Sequence, residues 1–260
     1  PISSSEVANS IANPIIKAVS LTGSEQAGIA VATEAGKHLK KCVLELGGSN
    51  AFIILEDANL DKAVAIAVNA RMQNAGQSCI AAKRFLVHEN IVEEFVAKLK
   101  VAIQNLKTGN PFDKEMQIGS LARVDLAEEL EAQVQKSIQM GADLIVGGTR
   151  KEAFYEPTIL ANVTTEMPVF NEETFGPVAS IITFKTLEEA IELSNQSEFG
   201  LGVSIFTQDI DFIKTKISAF NEGAVFINEM VKSDPRLPFG GIKKSGYGRE
   251  LAEDGIKEFV

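Results

Sequence analysis

The stretch CVLELGGSNAFIIL, residues 42–55, is the most informative for the fold. Its two apolar runs, residues 42–46 and 51–55, each have the length and composition of a buried strand. Gly47 and Gly48 follow the first run directly, and glycines at a strand end indicate a turn where the backbone passes close to another group. We therefore predict two buried strands joined through a crowded turn.

Short apolar runs alternate with amphipathic segments on both sides of this stretch. Further strands are predicted at residues 15–21, 85–87, 144–146, 178–184, 203–206 and 224–227. Helices are predicted at residues 24–39, 60–68, 91–106, 121–140, 187–195 and 209–219. Strands that alternate with helices favour an α/β fold with a largely parallel sheet. The glycine-rich segment 237–248 breaks this pattern and is either a solvent loop or a backbone cradle near a ligand.

Composition restricts the classes of function. The 260 residues carry a net charge of −10, so no nucleic-acid surface is expected, because such surfaces depend on clustered Lys and Arg. No apolar run approaches the ~20 residues that span a bilayer and no secretory signal is visible, so we expect no membrane partner and a cytoplasmic location. Cys42 and Cys79 form no CxxC pattern, which favours a reducing compartment. His38 and His88 are too scattered to predict a metal site.

Cys79 is the first candidate for chemistry. It lies in NAGQSCIA, residues 74–81, just past a predicted helix and beside a glycine and polar residues. A lone cysteine often serves only as a small buried apolar residue. A reactive thiol needs partial access and donors that favour the thiolate, and the polar loop provides that context. Both interpretations stay open on these residues alone.

Three other segments contain candidate residues. Glu45, between two leucines at a strand end, is either a buried carboxylate suited to general-base work or an edge residue that faces water. LTGSEQAG, residues 21–28, runs from a strand through a glycine turn into a helix, and either binds a phosphate or uses Ser24 as an ordinary N-cap. EETFGP, residues 172–177, is either a strand-initiating turn or a carboxylate and a ring that hold a sugar.

Together these segments resemble the aldehyde dehydrogenase superfamily. The resemblance rests on LELGG around Glu45, NAGQSC ending at Cys79, EETFGPV at 172–178 and PFGGIKKSGYGRE at 238–250, which occur in the family's order. Cys79 follows Glu45 by 34 residues, as in the family. The resemblance covers essentially the whole chain, and KKCVLELGGSNAFI with CIAAKRF is most similar to the bacterial succinate-semialdehyde dehydrogenases.

The resemblance implies an aldehyde dehydrogenase-like catalytic domain at residues 47–240, with a twisted, mostly parallel sheet and flanking helices. The last part of a Rossmann-like cofactor domain would precede it at residues 1–46, and residues 241–260 would return towards that domain. Relatives form dimers or tetramers, so a homo-oligomer is expected. The fold class is therefore α/β with parts of two domains.

The implied reaction is the oxidation of succinate semialdehyde, or a similar small aldehyde, to a carboxylic acid with NAD or NADP. Cys79 would attack the aldehyde carbon to give a thiohemiacetal, and loss of hydride to the cofactor would leave a thioester. Glu45 would activate the water that hydrolyses this thioester. The chain resembles about half of a family member and lacks the segment whose Asn contributes to the oxyanion hole.

The resemblance also implies roles in cofactor binding. Gly23 and Ser24 would approach the cofactor's phosphates, and Leu46 would line the nicotinamide side. Glu173 and Phe175 would hold the nicotinamide ribose.

Roles in substrate binding follow in the same way. Phe239 would form a wall of the aldehyde tunnel. Gln73 stands where some semialdehyde-specific relatives carry a carboxylate-binding Arg. Arg236, with Ser233 nearby, would bind the substrate carboxylate in its place, and Lys232 is the less favoured alternative. Solvated loop charges are the plain alternative for these residues.

Two other functions stay open. The pair of Cys79 and Glu45 is compatible with a thiol esterase that needs no cofactor. The chain is also compatible with an inactive structural remnant of the fold. Reduction of a cofactor by an aldehyde separates the dehydrogenase from both.

Overall fold

The computed structural model describes residues 4–260, with side chains from Glu6 onward. The helices are α1 (Ser4–Ala12), α2 (Glu25–Lys37), α3 (Leu60–Met72), α4 (Val92–Gln104), α5 (Val124–Gln139), α6 (Pro168–Asn171), α7 (Leu187–Asn195), α8 (Ile210–Lys214) and α9 (Ala252–Lys257). The longer strands are β1 (Ala18–Thr22), β2 (Lys41–Glu45), β3 (Asn50–Ile54), β4 (Ala82–His88), β5 (Asp143–Val146), β8 (Thr158–Ala161), β9 (Val178–Phe184), β11 (Val203–Phe206) and β12 (Val225–Ile227). The two-residue strands are β6 (Arg150–Lys151), β7 (Phe154–Tyr155), β10 (Phe199–Gly200), β13 (Ile242–Lys243) and β14 (Gly246–Tyr247).

A seven-stranded sheet forms the centre of the larger layer, in the order β12-β11-β3-β4-β9-β8-β5. Every neighbouring pair is parallel except β5 with β8. Strand β3 is buried at all five positions, which is expected where helices cover both faces of a parallel sheet. Helices α3, α4, α5, α7 and α8 contribute buried residues to the same core. The prediction of an α/β fold with a mostly parallel sheet is confirmed.

A second, three-stranded sheet is formed by β1 and β2, which precede the large sheet in the chain, and by β14, which follows it. Strand β1 pairs with β2 in parallel, and β14 pairs with β2 antiparallel, with Gly246 opposite Glu45. Helix α2 packs on this sheet and forms a small core with α1 and β2. Only residues 46–49 separate β2 from β3, so the predicted site residues in LELGG lie between the two sheets. The division into three domain segments stays a prediction.

The crowded turn predicted at Gly47 and Gly48 is confirmed. A Cβ on Gly47 would lie 2.4 Å from a carboxylate oxygen of Glu173, and a Cβ on Gly48 would lie 2.5 Å from the carbonyl oxygen of Cys79. Real Cβ atoms do not approach so closely. This turn needs glycine because two other segments pack against its backbone.

Some predicted boundaries are wrong. The first strand begins at Ala18 and not at residue 15, because the Asn13 side chain and carbonyl bind the amides of Ile15 and Ile16 in a turn. The helix predicted at 209–219 ends at Lys214, where the hydroxyl of Thr215 donates to the carbonyl of Phe212 and competes for the helix backbone.

The structure also adds a strand that was not predicted and describes the segment 237–248, for which two interpretations were open. Strand β8 was not predicted, because only four residues carry its signal. The segment 237–248 contains β13 and β14 and is not a solvent loop throughout. Its buried Ser245 lies against the Gly47 turn, where its hydroxyl donates to the Gly47 carbonyl at 2.7 Å.

The described residues contain no helix that is both long and apolar enough to cross a membrane. Within the same part of the chain, no three side chains from His, Cys, Asp and Glu are grouped as a metal site.

Candidate active site

One cavity of about 610 Å³ lies where the two sheets meet. Its volume falls within the ~300–1,000 Å³ of ordinary small-molecule sites. It is lined by Thr22, Gly23, Ser24, Leu46, Gly47, Gln77, Ser78, Cys79, Leu126, Glu129, Glu173 and Phe175. Six of the predicted site residues are in this lining: Cys79 and the five candidates for cofactor binding. These segments are far apart in the chain, and the fold brings them to one place.

The loop before Cys79 is held in an uncommon backbone conformation. A 3-10 turn spans Gln73–Gly76, and within it Asn74 and Ala75 have φ values of 52° and 53°. The side chains of Asn74 and Gln77 bind each other's carbonyls at 2.9 and 3.1 Å. Non-glycine residues adopt this left-handed region only where surrounding contacts compensate for its cost. The tight loop therefore sets the position of Cys79 at the cavity wall.

Cys79 itself is half-buried. Burial raises the pKa of its thiol, and the nearby charge of Lys83 opposes that rise. The carboxylates of Glu173 and Glu45 also raise the pKa, while the backbone amide of Ile80 lowers it. The sequence predicted donors that favour the thiolate, and they are present. In the protein by itself they do not outweigh the loss of solvation.

Glu45 is a buried carboxylate with only 2% of its surface exposed. This excludes the alternative of an edge residue that faces water. Burial, and then the charge of Glu250, raise its pKa to about 7. Neither carboxylate oxygen has a hydrogen-bond partner within residues 4–260; the Gly241 amide and the Arg249 charge lie near enough to oppose the shift. A carboxyl group with a pKa near 7 is suited to exchange protons at neutral pH.

Glu45 is not in the lining of the cavity, whereas its neighbour Leu46 is. The side chain of Glu45 instead lies near Gly241, Arg249 and Glu250, on the side of the returning segment. It is still close enough for its charge to act on the Cys79 thiol. The surroundings of the two candidate groups therefore come from different segments, since Gly241, Arg249 and Glu250 are not in the lining around Cys79.

The Gly23 turn borders the cavity at the N-terminal end of α2. The Ser24 hydroxyl accepts from the Ala27 amide at 3.3 Å, so its role as an N-cap is confirmed. A Cβ on Gly23 would meet only ordinary contacts of 3.7 Å or more, so packing within the protein does not require glycine there. A ligand that approaches this turn would account for the glycine, and a helix N-terminus favours an anionic group such as a phosphate.

Glu173 and Phe175 lie on the opposite wall of the cavity. An oxygen of Glu173 accepts from the Gly48 amide at 2.9 Å. The ring of Phe175 is 37% exposed, which leaves an apolar surface open beside Glu173. Together with Leu46 and the Gly23 turn, these residues place a carboxylate, apolar surface and a helix N-terminus in one cavity.

The structure does not bring the predicted substrate residues to this cavity. Phe239, Ser233 and Arg236 are not among the described residues that line it. Arg236 is exposed, and its guanidinium binds both oxygens of Asp234, at 2.9 and 2.6 Å. Lys232 forms an exposed ion pair with Glu229. Phe239 is half-buried and pairs through its backbone with Glu250. Their roles stay predictions.

Sequence reasoning missed two buried cations beside Cys79. Lys83 is fully buried, and its ammonium lies 3.4 Å from Glu173. Arg71 is 1% exposed and donates to the Gly76 carbonyl at 2.6 Å. The signal was present, because Lys83 and Arg84 are adjacent charges that open an apolar strand. Adjacent strand residues point to opposite faces, so at least one such charge had to be buried in a sheet covered on both sides.

Comparison with known proteins places this arrangement in a family. The model of the aldehyde dehydrogenase family matches residues 2–260. The succinate semialdehyde dehydrogenase Sad of Escherichia coli, whose name gives NAD(P)+ as cofactor, is 49% identical over 256 residues. A probable NADP+-dependent succinate-semialdehyde dehydrogenase of Synechocystis is 50% identical over 253 residues.

The solved structures agree. The crystal structure of a succinic semialdehyde dehydrogenase from Streptococcus pyogenes with NADP+ superposes on the whole chain with a TM-score of 0.96 at 41% identity, and the match covers 58% of that chain. The matches cover 97% and 96% of this chain but only 55% and 56% of the Escherichia coli and Synechocystis proteins. The chain thus spans a little over half the length of the curated relatives it matches. The chain belongs to the aldehyde dehydrogenase family.

Proposed function

We propose that the protein oxidises an aldehyde to a carboxylic acid with NAD or NADP, and that Cys79 is the nucleophile. The observation that supports this most directly is the shared cavity, in which Cys79 lies together with Gly23, Ser24, Leu46, Glu173 and Phe175. A thiol alone has many uses. A thiol beside a helix N-terminus, a carboxylate and an exposed ring is suited to chemistry on a bound dinucleotide.

The proposed role of Cys79 is covalent capture. Its thiolate adds to the aldehyde carbon and forms a thiohemiacetal, which becomes a thioester when hydride leaves. The cofactor, when bound, supplies the hydride acceptor. Burial raises the pKa of the free thiol, so the thiolate is a minor species at neutral pH, and the charge of Lys83 supports it. The tight 73–76 turn holds the sulfur in one position during both steps.

The proposed role of Glu45 is to take a proton from the water that hydrolyses the thioester. Its pKa of about 7 means that carboxylate and acid are both populated at neutral pH. No described residue makes a well-formed hydrogen bond to its oxygens, which leaves them able to accept a proton from water. The Glu45 neighbours Gly241, Arg249 and Glu250 do not line the cavity that contains Cys79, so the hydrolytic water is assigned to that segment and the cofactor to the cavity.

The proposed roles in cofactor binding follow from the cavity walls. The Gly23 turn and the first turn of α2 receive a phosphate, with Ser24 holding the helix end in place. Leu46 provides an apolar surface, and Glu173 with Phe175 binds a ribose hydroxyl and covers it. Each of these residues binds or orients the cofactor and takes no part in proton transfer.

For the substrate, we propose succinate semialdehyde or a similar small aldehyde. The support is that several similar proteins are named succinate-semialdehyde dehydrogenases, at 44–50% identity. Arg236 is a candidate for the substrate carboxylate only if it leaves Asp234. We also propose a homo-oligomer in the cytoplasm, which rests on the resemblance to the family alone.

The test is whether the whole protein reduces NAD or NADP when succinate semialdehyde is added. The reaction is monitored by the absorbance of the reduced cofactor. Cys79→Ala is expected to abolish reduction, whereas Cys42→Ala, at the other buried cysteine outside the cavity, is expected to retain it. If the folded wild type reduces neither cofactor with any small aldehyde, the proposal is wrong. Ester cleavage without cofactor would then support the esterase alternative.

A further inference from the structure

Lys83 has surroundings that the proposed reaction does not yet explain. It lies in β4 with none of its side chain exposed. Its ammonium group lies 3.1, 3.2 and 3.3 Å from the carbonyl oxygens of Ser78, Cys79 and Ala81. An oxygen of Glu173 lies 3.4 Å away on another segment. An isolated buried ammonium is costly, so this set of acceptors is what makes the position tolerable.

These contacts connect two parts of the site. The three carbonyls belong to the loop that carries Cys79, and the carboxylate belongs to the wall proposed to bind the cofactor. The same Glu173 oxygen that faces Lys83 also accepts from the Gly48 amide. Gly48 in turn packs against the Cys79 carbonyl. The nucleophile loop, the glycine turn and the carboxylate thus form one closed group around the ammonium.

We propose that Lys83 is a positioning residue that ties the Cys79 loop to Glu173, so that the thiol and the cofactor-binding carboxylate keep one fixed spacing. This inference rests on the proposed function, because it assigns Lys83 a part in that reaction. Lys83 is not in the lining of the cavity and acts through the two groups it holds. Its charge is a second contribution, since it supports the thiolate of Cys79 against burial.

The charges around the site are consistent with this role. Burial lowers the pKa of Lys83 to about 8, and the charge of Glu173 opposes that shift. Lys83 therefore remains mostly protonated at pH 7. Arg71, the second buried cation, also faces the charge of Glu173. The charge of Glu173 acts on both cations, so its orientation is determined from within the protein before a cofactor arrives.

Arg84 provides a matched control. It is adjacent to Lys83 in β4 and equally buried. Its guanidinium binds the carbonyls of Ser49, Leu193 and Ser194, and so it contacts neither the Cys79 loop nor Glu173. Each of the two cations is buried and binds three backbone carbonyls, but only loss of the Lys83 contacts is expected to change the thiol and the cofactor site.

The first measurement is the rate of Cys79 alkylation by iodoacetamide across a range of pH, in a Cys42→Ala background and without cofactor or aldehyde. Lys83→Met is expected to move the thiol titration to higher pH and to slow alkylation at pH 7.5 roughly tenfold, the size expected when a charge-assisted contact is lost. Lys83→Arg keeps the charge and is expected to restore most of the rate. Arg84→Lys is expected to stay within about twofold of the parent protein.

The second measurement separates KM from kcat for NAD(P). Lys83→Met is expected to raise the cofactor KM about tenfold, and to add little in the double variant with Glu173→Gln, because Lys83 acts through that carboxylate. An additive effect in the double variant would overturn this part of the proposal.

Lys83→Gln, whose amide still donates to a carbonyl, is made alongside in case Lys83→Met does not fold. A folded Lys83 variant with unchanged alkylation and unchanged cofactor KM would overturn the proposal. If neither neutral variant folds, Lys83 is a structural cation and the positioning role is also rejected. Absence of cofactor reduction in the wild type would contradict the proposed function alone, because the alkylation measurement does not depend on it.

Discussion

Replacing Glu45 by glutamine is expected to change how the protein's stability depends on pH. The carboxyl group of Glu45 is 2% exposed, and its pKa is raised from the usual 4.5 to about 7. Between these two values the folded protein holds a proton that the unfolded chain has released. The free energy of unfolding of the wild type therefore falls as the pH rises from 4.5 to about 7.

The magnitude follows from the size of the pKa change. At about 1.36 kcal/mol per pH unit, a rise from 4.5 to about 7 corresponds to about 3 kcal/mol. The amide of the glutamine would not titrate, so the Glu45→Gln variant lacks this loss. The stability of the variant relative to the wild type is therefore expected to increase with pH by about 3 kcal/mol in total, of which about 2.5 kcal/mol falls between pH 5 and pH 8.5. A constant difference from the altered hydrogen bonding of the amide does not affect this slope.

The assay is urea unfolding of wild type and Glu45→Gln at a series of pH values from about 5 to about 8.5. Glu188→Gln, at an exposed position in the first turn of α7, is the control and is expected to follow the wild type. Parallel stability curves for wild type and Glu45→Gln would refute the reasoning. They would show that Glu45 is ionised in the folded protein throughout this range and that its burial does not raise the pKa.

Three further outcomes are expected. Glu250→Gln removes a charge that raises the pKa of Glu45, so the pH profile of kcat for aldehyde oxidation is expected to shift to lower pH, and an unchanged profile would count against Glu45 as the base. Gly48→Ala would place a Cβ 2.5 Å from the Cys79 carbonyl. It is expected to lower the free energy of unfolding by about 1–3 kcal/mol and to lower kcat. Gly36→Ala in α2, where nothing lies within 4 Å, is the control and is expected to be neutral or stabilising. Ser245→Ala removes a buried hydroxyl that donates to Gly47 and accepts from Gly200 and is expected to cost about 1–3 kcal/mol; a loss below about 0.5 kcal/mol would show that water replaces it.

Local sequence was enough to predict the α/β class and the crowded turn at Gly47 and Gly48. Both follow from features of neighbouring residues: runs of apolar residues with the period of a strand or helix, and glycines where a side chain has no room. The sequence also singled out Cys79 and Glu45 as candidates and, through four motifs in order, the family. Besides the nine-residue helix α1, the elements it missed or misplaced include short ones such as β8 and boundaries that depend on a single turn, such as the start of β1.

The arrangement of these candidates depends on the tertiary structure. The sequence left open whether Glu45 is buried or faces water. The answer depends on the segment 241–250, which packs near Glu45 and is almost 200 residues away in the chain. Nothing in the motifs indicated that the segment 241–250, which does not line the cavity, would surround Glu45. In the sequence Lys83 is only one of two adjacent charges. Its proposed role depends on the carbonyls of the Cys79 loop and on Glu173, which lies 90 residues later in the chain. Pattern along the chain determines local structure and residue chemistry, whereas burial and charge–charge distance are set by long-range packing.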